Sequence, residues 1–235
     1  MILKAFLKAV GQLSDPRFLM VLGLGVGLTL ALLIGFYVGF VALVGWVVPD
    51  AFTLPWIGEI TWADTALSWA AVPLFLIFSI FLMVPVASAF MGIFLERVAD
   101  AVEDVHYPGL PPARMVGVLE GMADAAKFLG VLLAVNLLAL VAYLMFAPIA
   151  PILFWVVNGF LLGREYGQLV ALRRTDAAGA KAFRRRNSGT LFAAGVLMAV
   201  PLTIPVVNLL VPILGAATFT HLYVMLSADR PTRSG

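Results

Sequence analysis

Residues 187–228 read NSGTLFAAGVLMAVPLTIPVVNLLVPILGAATFTHLYVMLSA, 42 positions without one Asp, Glu, Lys or Arg. Roughly 20 helical residues cross a hydrocarbon core of about 30 Å, so this run is twice too long for one straight crossing. Pro201, Pro205 and Pro212 interrupt it. Proline removes an amide donor and clashes with the preceding turn, so the stretch reads as two shorter helices folded into a hairpin. Residues 128–163 repeat the pattern: 36 charge-free positions, broken by Pro148 and Pro151. APIAP (147–151) and VPLTIP (200–205) form a weak internal repeat.

Working outward, two further charge-free runs of 31 residues, 18–48 and 65–95, fit tilted single membrane helices. Across the 235 residues, 63% are apolar and 12% charged, and the mean hydropathy is +1.05. Soluble domains carry roughly a quarter charged residues. A soluble globular fold is therefore excluded, and the expected class is an all-α membrane protein: two long transmembrane helices plus two proline-broken, partly penetrating hairpins. The chain has no Cys, which excludes disulfides, thiolate metal sites and thiol nucleophiles. The first apolar run far exceeds the roughly 7–15 residues of a cleavable signal, so the N-terminus is expected to be retained.

Cations set the expected orientation, because Lys and Arg collect in short cytoplasmic loops. Lys4, Lys8 and Arg17 precede the first run, whereas 50–64 holds only Asp50, Glu59 and Asp64. Arg97, Arg114 and Lys127 lie in 96–127, and Arg164, Arg173, Arg174, Lys181, Arg184, Arg185 and Arg186 in 164–186. Both segments, and a tail with Arg230 and Arg233, are expected on the cytoplasmic side with the N-terminus. Each hairpin must then return to the side it left, on arms of about 13 to 21 residues, some too short to cross. Amides at a mid-membrane turn need shielding by protein or water, which favours an oligomer or a hydrated interior. The expected layout is one membrane domain, 1–235: an interfacial helix (1–17), membrane helices (18–48 and 65–95), a cytoplasmic helical segment (96–127), a hairpin (128–163), a basic cytoplasmic helix (164–186) and a second hairpin (187–228). In the interfacial helix Leu3, Phe6, Leu7, Val10 and Leu13 share one stripe.

Few residues offer chemistry. Ser14-Asp15-Pro16-Arg17-Phe18 opens the first membrane helix with a capping residue and a proline at the first helical position. Its free amides and Arg17 would suit an anion; the simpler reading of the residues is that Asp15 caps the helix and Arg17 marks the cytoplasmic interface. Glu96-Arg97 and Arg164-Glu165 are two acid and base pairs at similar membrane depth, able to line a hydrated vestibule or simply to tie helices together. Asn136, Asn158 and Asn208 suit hydrogen bonds between helices, with a conduction role open for Asn158. His221 has no acidic neighbour in sequence, and His106 with Tyr107 lacks metal-ligand spacing. The basic run 173–186 sits between membrane intervals, so anionic lipid explains it better than nucleic acid. There is no phosphate loop, nucleotide fingerprint or nucleophile elbow; no cofactor, metal or enzyme activity is expected.

Four stretches resemble a known family: LSDPRF (13–18), PVASAFMGIFLERVADAV (85–102), FLLGREYGQLVALRR (160–174) and RRRNSGTLFAAGVLMAVPLTIPVVNLLVPILGAATFTHLY (184–223). They are similar to the CysZ-type sulfate permeases of bacterial inner membranes. The resemblance implies two long membrane helices, two partly penetrating hairpins and homo-oligomers. It places sulfate where the first membrane helix begins, at a Gly-Leu-Arg type motif preceded by Ser and Pro. Ser14, Pro16 and Arg17 match; the Gly-Leu portion is missing, and Asp15 adds a carboxylate that repels a dianion. Glu96 matches an acidic position of the family, and Glu165 and Tyr166 fall in a recognisable patch.

The resulting expectation is an inner-membrane permease or channel that admits sulfate or a related oxyanion for sulfur assimilation and cysteine biosynthesis. Ser14, Arg17 and Phe18 would form the anion-binding mouth, and Glu96, Arg97, Asn158, Arg164 and Glu165 the charged lining. The alternative is a membrane scaffold or assembly factor that transports nothing.

Overall fold

The computed structural model describes residues 1–47, 52–54, 58–60 and 94–228. The membrane helix expected over 65–95 falls outside the described residues except for positions 94 and 95. In chain order the helices are α1 (Ile2–Gly11), α2 (Pro16–Val47), α3 (94–106), α4 (Val118–Met145), α5 (Ala150–Leu172), α6 (Ala177–Arg186), α7 (Ser188–Ala199), α8 (Pro205–Asn208) and α9 (Val211–Ala228). Among the described residues there are besides these two short 3-10 turns and one antiparallel ribbon of β1 (Phe52–Leu54) and β2 (Gly58–Ile60), which pairs Thr53 with Glu59. Pro16–Phe40, Leu119–Met145 and Val211–Ala228 are long and apolar enough to cross a membrane.

The prolines break the two long runs where the sequence places them. A 3-10 turn at Ala147–Ile149 separates α4 from α5, whose first turn holds Pro151. Pro201–Thr203 and the short α8 separate α7 from α9. The charge boundaries, however, are not helix boundaries. The helix-forming sequence before Phe128 is continuous with the apolar run, so α4 begins at Val118 and reaches 28 residues, longer than the arm anticipated from charge alone. Likewise α5 carries straight through Arg164 to Leu172, and the basic segment is the end of α5, a turn, and α6 capped by Asp176, which accepts from Gly179 N at 2.7 Å.

The chain forms two compact units. One comprises residues 23–90, and its described parts are the body of α2 and the β ribbon. The other comprises residues 1–22 and 91–235 and holds the charged residues discussed below. In this second unit the most extensive helix pairing is α5 with α7, across the basic elbow rather than across a proline break. Small residues allow it: a Cβ on Gly195 would meet Gly159 O and, at 2.7 Å, Gly163 N. Such backbone approach is the usual way helices associate where apolar burial gives little drive. α9 lies against α5 and α1, with Tyr166 and Phe219 ring centroids 5.6 Å apart, and its Tyr223 ring meets Phe183 of α6 at 4.8 Å.

α1 buries Ala5 and Ala9 against this core, while Leu3, Leu7 and Val10 are exposed and Phe6 and Leu13 are half-buried. The apolar stripe thus divides, because its small-residue neighbours, not its large ones, fit the close approach to α9.

Candidate functional site at the charged junction

The entrance of α2 is built by local hydrogen bonds. Asp15 Oδ1 accepts from Arg17 N at 2.8 Å, Gln12 Nε2 donates to Asp15 Oδ2 at 3.0 Å, and Gln12 also donates to Ala101 O at 3.1 Å. Asp15 therefore caps the helix and ties it to α1 and α3. Burial alone would raise its carboxyl, but Gln12, the Arg17 amide and the Arg17 charge outweigh that and hold it below the ordinary aspartate range. The Arg17 side chain reaches Asp104 Oδ2 at 2.6 Å and Asp15 Oδ1 at 3.8 Å, and remains 44% exposed. Ser14 is exposed, and Phe18 is buried in the core. Of the three expected anion-binding residues, then, only Ser14 and Arg17 face the surroundings, and Arg17 already has two carboxylates.

The expected lining residues do not converge on one another. Arg97 is exposed and, among the described residues, makes no ion pair. Glu96 is raised by burial and by Asp100, against the pull of Arg173. Asn158 donates to Phe154 O and Asn136 to Leu132 O, each at 2.8 Å within its own helix. Among the described residues these two side chains bond only within their own helices, where the carbonyl four residues back is within reach, and not between helices as expected. Arg164 and Glu165 are half-buried on α5, and their side chains make no hydrogen bond or ion pair among the described residues.

What the fold brings together instead is an acidic face of α3 and the end of α5. Arg173, only 4% exposed, donates to Asp100 Oδ1 at 2.5 Å, Glu103 Oε2 at 3.2 Å and the Glu96 carbonyl at 3.4 Å. Burial would lower the Arg173 pKa, but the two carboxylates raise it overall. Arg174 pairs with Glu103 and bonds the Pro111 carbonyl; Arg114 pairs with Glu120, and its amide donates to Arg173 O at 2.8 Å. The signal was in the sequence: Asp100, Glu103 and Asp104 stand three and four residues apart, the spacing that aligns side chains on one helix face.

A second cluster joins α4, α5 and α6. Gln168, buried, donates to Asp124 Oδ1 at 2.9 Å and accepts from Arg184 Nε at 2.5 Å. A third brings both histidines of the chain together, their ring centroids 4.8 Å apart, with Tyr107 Oη 2.8 Å from His221 Nδ1 and Lys8 Nζ 5.5 Å from the Tyr107 ring centre. His221 thus has polar neighbours that its sequence surroundings do not reveal. No group of three potential metal ligands occurs among the described residues.

Residues 5–212 match the family model described as sulfate transporter CysZ/etoposide-induced protein 2.4. The chain belongs to this family. The match takes in the α2 entrance, the acidic face of α3 and the whole α5–α6–α7 elbow, and ends before His221. No curated protein matches the chain.

Proposed function

We propose that the protein is a permease, a channel or facilitator, that lets sulfate or a related tetrahedral oxyanion cross the bacterial inner membrane for sulfur assimilation. The observation that carries this reading is the family match over residues 5–212, whose description names a sulfate transporter. The geometry adds a means of receiving the ion. The Arg17 to Asp104 pair is exposed at both ends, and such pairs contribute only about 0 to 1 kcal/mol. A dianion arriving at Arg17 can displace Asp104 at little cost and gain charge-assisted hydrogen bonds. Ser14 stands beside it, Phe18 anchors the helix start in the core, and Arg97, Arg164, Asn158, Glu96 and Glu165 supply charge and polarity farther along.

In this reading both proline-broken helix pairs are re-entrant, both termini are cytoplasmic, and the protein works as a homo-oligomer embedded in lipid, without cofactor or chemical step. Inward movement against a negative-inside potential costs about 2.3 kcal/mol per charge per 100 mV, so consumption inside or a coupled ion must drive it. Labelled sulfate uptake by a bacterial strain stripped of its own permeases provides the test. Uptake should return with the wild-type chain and fall with Arg17→Ala. Uptake unchanged by Arg17→Ala would remove Arg17 from the path, and none with the wild type would sink the proposal.

A second reading, a membrane scaffold that transports nothing, is favoured by one observation: Arg17, Arg114, Arg173 and Arg174 all spend their charge on carboxylates of the same chain. A stable protein partner recovered with a chain that conducts no oxyanion would support it.

A further inference from the structure

In residues 1–22 and 91–235 most inward-lying arginines are neutralised within the chain: Arg173 by Asp100 and Glu103, Arg174 by Glu103, Arg114 by Glu120. Two are not. Among the described residues the half-buried Arg164 side chain has no hydrogen bond or ion pair, and the one side-chain hydrogen-bond partner of Arg184 is the neutral amide oxygen of Gln168, 2.5 Å away. Gln168 stands four residues after Arg164 on α5, hence on the same helix face, so the bond from α6 draws the Arg184 guanidinium to the face that carries Arg164. The two charges repel each other, and Asp124 only partly offsets them. Asp124 is itself engaged by the Gln168 amide at 2.9 Å. Glu165 lies about 100° further round the helix and pairs with neither arginine among the described residues.

The geometry points to a second oxyanion-binding position, formed by Arg164, Arg184 and the α5 face between them, which takes a tetrahedral sulfate or phosphate group. Two guanidinium forks, one anchored on a buried amide, suit such a group because each can donate two parallel N–H bonds to its oxygens. The group would relieve the repulsion that the chain itself leaves standing. Its source is either a free oxyanion or a lipid headgroup phosphate, which present the same oxygens. The position extends the transport reading above and rests on it only for the choice of sulfate as probe.

Equilibrium binding of labelled sulfate to the purified full chain in lipid-free detergent tests this, in an Arg17→Ala background that silences the first mouth. Sulfate should still bind, Arg164→Gln and Arg184→Gln should each weaken it about tenfold, the worth of one charge-assisted contact, and Arg184→Lys should recover part of the loss. Arg164→Gln should not melt below its parent, since it removes one of two repelling charges, whereas Arg184→Gln also loses the bond to the buried Gln168 amide and its melting is compared with that of Arg184→Lys. Binding that ignores both glutamine substitutions, or variants that melt lower while their affinity is unchanged, would overturn the proposal, whatever the transport assay gives. Lost flux with this binding intact would count against transport alone. Displacement of sulfate by phosphatidylglycerol but not phosphatidylcholine assigns the position to a lipid headgroup; no displacement by either assigns it to the free ion.

Discussion

Asp15 and Arg173 show how single residues hold the charged junction. Asp15→Ala removes the cap of α2 and its link to Gln12, and a loss of about 1 kcal/mol is expected in denaturant unfolding. Because the folded carboxyl sits below its ordinary value, the Asp15 contribution is complete above the ordinary aspartate range. It drains away as pH falls through the folded value. The stability gap between wild type and Asp15→Asn should accordingly narrow on acidification; a gap that widens would show that the carboxylate is not what stabilises the cap. Arg173→Ala deprives Asp100 of its partner and leaves the largely buried Glu103 with Arg174 alone, and a loss of about 2 kcal/mol is expected from removing charge-assisted hydrogen bonds, again read by unfolding. No change would mean that α3 is held by its apolar face alone.

At the scale of elements, the α5 and α7 pair depends on contact between backbones. Gly195→Val places a branched side chain against Gly159 O and Gly163 N, which can yield only by separating the helices. A loss of more than about 2 kcal/mol is expected in thermal unfolding, and wild-type stability would contradict the close approach. The proline breaks and the capped start of α2 were legible in the sequence, because each follows from local backbone chemistry; the cytoplasmic helical segment expected over 96–127 is instead two helices, α3 and the start of α4, with 107–117 outside both. The pairing of α5 with α7 was not legible. It is set by glycines 32 and 36 positions apart along the chain, at 159, 163 and 195, whose partnership no local pattern announces. The same limit applies to the charges. Arg164 and Glu165 were visible as an adjacent pair, yet neighbours on a helix point in different directions, and the buried cation turned out to be Arg173. Tyr107 and His221 meet across 114 positions, beyond the reach of any spacing rule.

For the whole molecule, the proposed re-entrant layout puts Arg114 and Lys181 on the same side of the membrane. The chain has no native Cys, so single cysteines at these two positions can be labelled from one side of intact membranes. Equal accessibility is expected; opposite accessibility would remove the re-entrant layout. Passage of sulfate through the bilayer is the proposed activity. Its most direct test is the flux of labelled sulfate into proteoliposomes containing only the purified chain, with the membrane potential clamped. Saturable uptake is expected, quickened by an inside-positive potential and slowed by an inside-negative one; uptake no faster than in protein-free vesicles at any potential would contradict the claim.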